Sequence, residues 1–325
     1  MLLDGFSEVS EGMRMGATFI GHVSVDTVIR GGEMRKAMGG TVVYGSVAAT
    51  KHGYKSSIVS KVGRDFPDEY LIYLSRLGID ISGIKVSDKP TTKFKLVYQD
   101  SERNLYLMSK CEDISSFDLT PRFIEEQIVL IGPLIGEVSL DAVEYISKKA
   151  ELTALDIQGF VRKVNPDKSI TLQPMENALT AVGLVDIVHA ELSEAEILVG
   201  TDDPEKAGKN LIEAGAKIAL VTMGEDGAYV VTRDESFYVP AAKPSRIVDL
   251  TGSGDVYTTV FTLEYHKTRN LKRAAAMAAA AVSFLVEKEG ISGLRPRWQI
   301  RRRADYVLRE LQQPKETTKE QEKTS

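Results

Sequence analysis

Strand-like and helix-like segments alternate along most of this chain, and that order limits the folds open to it. Short apolar runs at 17–20, 57–62, 127–131, 152–157, 186–189 and 217–223 read as strands. Helical patterns lie between or after them at 41–52, 66–77, 140–149, 193–199 and 204–214. Gly78 and Gly200 stand where two of these helices should stop, and Ser193 stands where one should be capped. Alternation of this kind predicts an α/β fold, a mostly parallel sheet covered by helices on both faces. Segments 25–36 and 91–109 break the pattern. Each reads as a pair of strands with no helix between, which predicts a small antiparallel sheet projecting from the body. Segment 228–239 reads as a hairpin around Asp234-Glu235. No internal repeat is evident. The expected organisation is a tail over 1–15, one domain over 16–312 with its projecting sheet at about 25–37 and 90–110, and a disordered tail over 313–325. The last of these is rich in Lys, Glu and Thr.

The chain has 325 residues, 43% of them hydrophobic, enough for a large core. Its formal net charge of -5 gives no basic footprint for nucleic acid, and Arg301-Arg-Arg303 reads as a solvated helix face. The single cysteine, Cys111, excludes an intrachain disulfide and a Cys-rich zinc site, which suits a reducing, cytoplasmic setting. The apolar run 274–286 is shorter than the roughly 20 residues a bilayer span needs, so no membrane partner is expected. The N-terminus lacks the basic start and apolar core of a signal peptide.

The chemistry concentrates at Asp249-Leu-Thr-Gly-Ser-Gly-Asp255, followed by the apolar stretch 256–263. A Gly-Ser-Gly turn exposes backbone N–H groups, and a helix beginning there adds the positive end of its dipole, so the segment suits an anion. A carboxylate beside an anion site makes sense if it takes a proton from a nucleophile attacking a phosphate. A plain helix start with an N-terminal Asp is the bland alternative, but it needs only one glycine. Other positions are more open. Gly39-Gly40 before the 41–52 helix could approach a ligand or form a tight turn. Asp26, past the first strand, could accept polyol hydroxyls or serve as a turn residue. Glu191 and Glu194 flank a helix start. Glu194 could organise magnesium through water or only cap the helix. Asp156-Ile-Gln158-Gly-Phe-Val-Arg162 ends a strand with a hydrogen-bonding and cationic set, and Arg suits phosphate. Met223-Gly-Glu-Asp-Gly227 is a glycine-bounded turn. No P-loop sequence and no dinucleotide-binding glycine fingerprint is present. The four histidines show no metal-site spacing.

Taken in this order, these residues resemble the ribokinase-like (PfkB) carbohydrate kinases over roughly 17–311. Asp249-x-Thr-Gly-Ser-Gly-Asp255 is similar to that family's C-terminal signature, and Gly39-Gly40 with Val62-Gly-Arg-Asp65-Phe to its N-terminal one. The resemblance implies a three-layer α/β/α domain with a β-sheet lid over the acceptor. It implies ATP as donor and Mg2+ as metal. Asp255 would be the catalytic base, and Gly252, Ser253 and Gly254 the anion hole. Thr222, Gly224, Gly227 and Thr251 would lie near the nucleotide. Adenine would sit between 239–242 and 278–282. The acceptor would meet Asp26, Gly39, Gly40, Tyr44, Gln158 and Arg162. Glu194 would serve magnesium, and Asp249 potassium (K+), which many members use. The resemblance also allows a homodimer through the lid. There are three departures: Leu250 replaces a small polar residue, Tyr44 stands where many members have an Asn that contacts substrate, and Glu191 where many have Asn or Asp. Tyr44 weakens a ribose or fructose-phosphate assignment. The Gly-Gly-x-x-x-Tyr and Asp-x-Gln-Gly-x-x-Arg patterns look more like archaeal-type members, some of which act on myo-inositol.

The expected activity is ATP-dependent phosphorylation of a small sugar, polyol or nucleoside. A sugar-phosphate kinase would need an additional basic pocket, for which Lys93, Lys95, Arg103 and Arg162 are candidates. A silent sugar-binding scaffold on the same fold is the remaining alternative.

Overall fold

Strands of the body carry apolar residues on both faces, and this dictates a sheet covered on both sides. In β1 (Gly16–Ile20), Ala17 and Phe19 enter one core and Ile20 the other. In β8 (Ile128–Ile131), Ile128 and Leu130 face the first core while Val129 and Ile131 face the second. A computed structural model of the protein describes residues 16–312 apart from 100, 101 and 126. The two expected tails therefore lie outside the described residues.

Nine strands form the body sheet in the order β15-β14-β13-β12-β9-β8-β1-β4-β5. Beyond β1 and β8 these are β4 (Lys55–Gly63), β5 (Asp80–Ser87), β9 (Leu152–Asp156), β12 (Ile187–Glu191), β13 (Ile218–Thr222), β14 (Ala228–Thr232) and β15 (Ser236–Val239). Pairing is parallel from β5 to β13, and β14 and β15 close one edge as an antiparallel hairpin. One face is covered by α1 (Thr41–Lys51), α2 (Asp68–Arg76), α7 (Ser253–Thr268), α8 (Leu271–Leu285) and α9 (Arg297–Gln312). The other carries α3 (Leu140–Ser147), α4 (Ala178–Gly183), α5 (Leu192–Val199) and α6 (Pro204–Glu213). Residues Val256 to Glu264 of α7 are all buried, because the alanines at 274–276 and 278–281 of α8 let the two helices approach closely.

The non-alternating segments form a second sheet, β3-β2-β6-β7, from β2 (Ser24–Arg30), β3 (Glu33–Gly39), β6 (Lys93–Gln99) and β7 (Glu102–Ser109). It is not wholly antiparallel as expected, because β2 pairs with β6 in parallel. Phe94 and Leu96 on its inner side pack against Leu134 and Ile135 of the body. A small hairpin of β10 (Arg162–Val164) and β11 (Ile170–Leu172) abuts it, with Leu107 N–H donating to the Lys168 carbonyl at 2.9 Å.

Two local expectations change. The 193–199 helix begins at Leu192, and its cap is Glu191, not Ser193. The Glu191 side chain accepts from the Glu194 N–H, and Glu194 reaches back to the Glu191 N–H, a reciprocal cap. Gly200 ends that helix in the left-handed region, φ 76°, as expected. The edge strand β5 and the hairpin β10–β11 were not evident in the sequence. Among the described residues no helix is long and apolar enough to cross a membrane.

Candidate active site

A cavity of about 1020 Å³ lies at the carboxyl ends of the parallel strands, where open α/β sheets bind ligands. Its deep part is framed by the ends of β9, β12 and β13 and the start of α7. At one end it reaches the second sheet, β3-β2-β6-β7, which stands where the lid was expected, through Asp26, Phe94, Leu96 and Leu105. At the other it enters a slot between Val239–Ala242 and the α8 residues Ala279 and Val282.

The turn before α7 is built around contacts that exclude side chains. Gly252 is the helix cap at φ 81°, and a Cβ there would lie 2.2 Å from the Tyr44 ring. A Cβ on Gly254 would lie 2.8 Å from Cε1 of His189. Both glycines are thus required by packing, and the first also by backbone conformation. Gly252 to Asp255, where α7 begins, line the cavity, and a helix start leaves backbone N–H groups without intrahelical partners, which suits an anion. The Ser253 N–H donates to the Leu250 carbonyl at 3.3 Å and its hydroxyl to the same oxygen at 2.8 Å.

Asp255 opens on the cavity from this first turn. Burial, and then the Asp156 carboxylate, push its carboxyl up to about 6. It is therefore mostly ionised at pH 7 yet basic enough to take a proton, the range suited to general base work. Burial and Asp156 likewise push Glu194 up to about 7. Asp156 itself is held below the ordinary range: burial opposes its charge, but His189, the Gln158 N–H and Arg162 together outweigh it. The Nδ1 of His189 lies 3.0 Å from Asp156 Oδ2, and its Nε2 lies 3.0 Å from Thr222 Oγ1. Burial alone would lower the imidazole, and the Asp156 carboxylate keeps it raised. A buried ion pair thus sits directly beneath the turn.

Of the residues expected at the site, Asp26, Gly40, Tyr44, Gln158, Arg162, Glu194, Thr222, Gly224, Gly227, Thr251, Gly252, Ser253, Gly254 and Asp255 all line this cavity. Gly39 is not among the lining residues. A Cβ on it would lie 2.2 Å from Asp26 Oδ2, so its bare backbone makes room for the Asp26 carboxylate. Asp249 is also outside the lining and is spent on its own loop, as described below. Among the described candidates for a basic pocket, Arg162 alone reaches the cavity. It donates to the Leu134 carbonyl at 3.2 Å and to Gln158 Oε1. Lys93 pairs with Asp65, and Lys95 lies over the Tyr106 ring. The Arg103 side chain lies outside what is described.

His189 escaped the sequence reading, as did the lid side chains Phe94, Leu96 and Leu105. A histidine at the carboxyl end of a central parallel strand was the available signal. The Tyr44 hydroxyl is buried among carboxylates, and burial first, then Asp249 and Asp255, raise it far above its ordinary range. It stays protonated and can donate to a ligand.

The residues suit the groups that the sequence implied. The slot between 239–242 and α8 is apolar on both walls, as a nucleobase requires. Glu194 is an oxygen donor in a site crowded with negative charge, and magnesium takes one or two carboxylates while the donor phosphates and water complete its shell. Among the described residues no group of three or more His, Cys, Asp or Glu side chains could hold a metal on its own.

Comparison with known proteins agrees with this architecture. The chain is 29% identical over 278 residues to a cytidine kinase of Thermococcus kodakarensis, covering 83% of this chain and 96% of that protein. It is 25% identical over 303 residues to a nucleoside kinase of Methanocaldococcus jannaschii, covering 86% and 93%. A pyrophosphate-dependent kinase of the ribokinase family superposes with a TM-score of 0.78 at 27% identity, over 88% of this chain and 99% of that one. An Arabidopsis thaliana ribokinase complexed with ribose and ATP shares the fold, with a TM-score of 0.74 at 19% identity over 90% and 99%. The profile of the pfkB family carbohydrate kinases matches residues 15–297. The chain belongs to the pfkB family of carbohydrate kinases.

Proposed function

We propose that this kinase transfers the γ-phosphoryl group of ATP to a hydroxyl of a nucleoside or a small neutral polyol. One observation carries the reading. The Asp255 carboxyl, poised near 6, shares the first turn of α7 with the anion-binding N–H groups, inside a cavity continuous with both the lid and the apolar slot. The acceptor lies between Asp26, Tyr44 and Asp255 under the lid. Asp255 takes the hydroxyl proton as the oxygen attacks the γ-phosphorus and the bond from that phosphorus to the bridging oxygen breaks, releasing ADP. The backbone N–H groups of Gly252 and Gly254, with Arg162, stabilise the charge on the transferred group. Magnesium, when bound with the donor, neutralises the phosphate oxygens, and Glu194 would hold it through water.

Two features favour a nucleoside over a sugar phosphate. Phe94, Leu96, Leu105 and Leu134 give the lid end an apolar wall fit for a base. Among the described candidates only Arg162 supplies positive charge there. The cytidine and nucleoside kinases among the relatives support the same class. The apolar slot favours ATP over pyrophosphate, the donor named for a structural neighbour. A coupled screen of nucleosides, inositols and sugars, run with ATP and with pyrophosphate, tests both choices. ATP-dependent turnover of a nucleoside or polyol is expected. Turnover of sugar phosphates alone, or with pyrophosphate alone, would overturn the reading.

Asp26 carries a second expectation. A carboxylate on one or two acceptor hydroxyls makes charge-assisted bonds. Asp26→Ala should weaken acceptor binding by roughly 1.5–3 kcal/mol and leave ATP affinity nearly unchanged. An acceptor affinity within about twofold of wild type would remove Asp26 from the acceptor site.

A further inference from the structure

Asp249 begins the loop that leads into the anion-binding turn. Its Oδ1 accepts from the Thr251 N–H at 3.0 Å and the Thr251 hydroxyl at 2.7 Å. Its Oδ2 accepts from the Gly290 N–H at 3.2 Å and from Nη2 of Arg35 at 3.3 Å. A carboxylate offers about four lone-pair sites, and four donors take them here. One of those donors carries a full positive charge and comes from the lid strand β3. The other guanidinium nitrogen of Arg35 lies 3.6 Å from Glu289 Oε2, beside the same Gly290 turn. A second lid arginine, Arg30 of β2, donates to the Val248 carbonyl at 3.0 Å and lies 4.3 Å over the Tyr98 ring. The lid is thus fastened by two arginines to the segment 248–249 that enters the turn.

The donor set does not suit potassium at Asp249. A monovalent cation needs oxygen lone pairs, and those of this carboxylate already face N–H and O–H donors. The charge such an ion would bring is already present as a guanidinium.

We propose that Arg35 stands in for a monovalent cation at Asp249, so that this chain orders its anion-binding turn by docking the lid and works without potassium. Arg35 touches neither acceptor nor donor and is a positioning residue. It fixes the carboxylate that bonds Thr251 and Gly290, and through them the turn holding the N–H groups. Without it, a largely buried carboxylate would stand uncompensated a few residues from the transferred phosphoryl group, where negative charge opposes the reaction.

The proposal rests on the kinase reading for its rate measurements but not for its stability measurement. Melting temperature is measured in potassium, sodium and tetramethylammonium salts at one ionic strength, with kcat measured in the same series on the acceptor found by the screen. Wild type is expected to show the same melting temperature in all three and kcat values within about twofold, under 1 kcal/mol in barrier. A rise in melting temperature specific to potassium, or a tenfold or greater potassium activation, roughly 1.4 kcal/mol, would overturn it. Arg35→Ala is expected to lower kcat and kcat/KM together by about tenfold or more, the mark of an interaction felt in the transition state. Guanidinium ion at low concentration should restore part of the loss, and Arg35→Lys should fall between the two. An Arg35→Ala variant with wild-type kcat would remove the positioning role. Should that variant not fold, Arg35→Lys and the wild-type salt series still decide. Failure of every acceptor and donor would sink the kinase reading, while the melting series would still test the cation replacement.

Discussion

Asp255→Asn should lower kcat by roughly 10²–10⁴-fold, the usual contribution of a general base, while raising the melting temperature at neutral pH. The two effects have one cause. Burial and Asp156 push the Asp255 carboxyl up to about 6, above the ordinary aspartate range. Between roughly pH 4 and pH 6 the folded protein therefore binds a proton that the unfolded chain does not. Stability contributed by this group falls as pH rises through that window, and at pH 7 the charge is a full cost. Asparagine has nearly the same shape and carries no charge, so the variant removes the cost along with the base. The gain in melting temperature should shrink as pH falls towards 4, where both side chains are neutral. A residue that only favours the α7 helix start would behave in the opposite way. Its loss would lower stability slightly and leave the rate nearly unchanged. Melting curves and kcat on the same preparation separate the two roles.

Glu137→Ala should destabilise the fold by about 3–5 kcal/mol, because three interior backbone N–H groups lose their acceptor. Glu137 is fully buried. Its carboxylate accepts from the His22 N–H at 3.0 Å, from the Leu134 N–H at 2.8 Å to each oxygen, and from the Ile135 N–H at 2.8 Å. Three backbone donors in the interior depend on one side chain, and each costs about 1–3 kcal/mol when left without an acceptor. These bonds join the loop after β1 to the loop after β8. The second loop carries Leu134, whose side chain lines the cavity and whose carbonyl receives Arg162. Urea denaturation should show a lower midpoint with an unchanged slope. Glu137→Gln keeps one acceptor oxygen and should lose about half as much. A loss under about 1 kcal/mol for the alanine variant would mean that water replaces the carboxylate at little cost.

Much of this was legible in the sequence because the features were local. The parallel strands are short runs apolar on both faces, and Gly200 is a stop signal needing no tertiary information. The Gly-Ser-Gly-Asp segment is equally local, since turn, helix start and carboxylate are contiguous. What escaped depends on contacts between distant residues. Strand β5 alternates polar and apolar side chains at a sheet edge and leaves Val86 exposed, so it lacks the buried-strand pattern. The helix at 192 is capped by a glutamate pair in place of the nearer serine, because Glu191 and Glu194 satisfy each other's backbone N–H groups. His189 gains meaning only when β9 brings Asp156 and β13 brings Thr222 alongside it. Arg35 and Asp249 lie 214 residues apart and meet only because the lid folds back on the body.

The acid limb of the pH profile tests the role of Asp255 most directly. For wild type with its acceptor and ATP, kcat/KM should fall with unit slope below an apparent pKa near 6, matching the raised carboxyl. Glu194, raised to about 7, and the donor phosphates add to that limb, so the residual activity of Asp255→Asn is measured across the same range. The variant should lack the limb that belongs to Asp255 and keep any that belongs to Glu194 or the donor. A wild-type profile flat to about pH 4.5, or an identical limb in the variant, would contradict the assignment of Asp255 as the base.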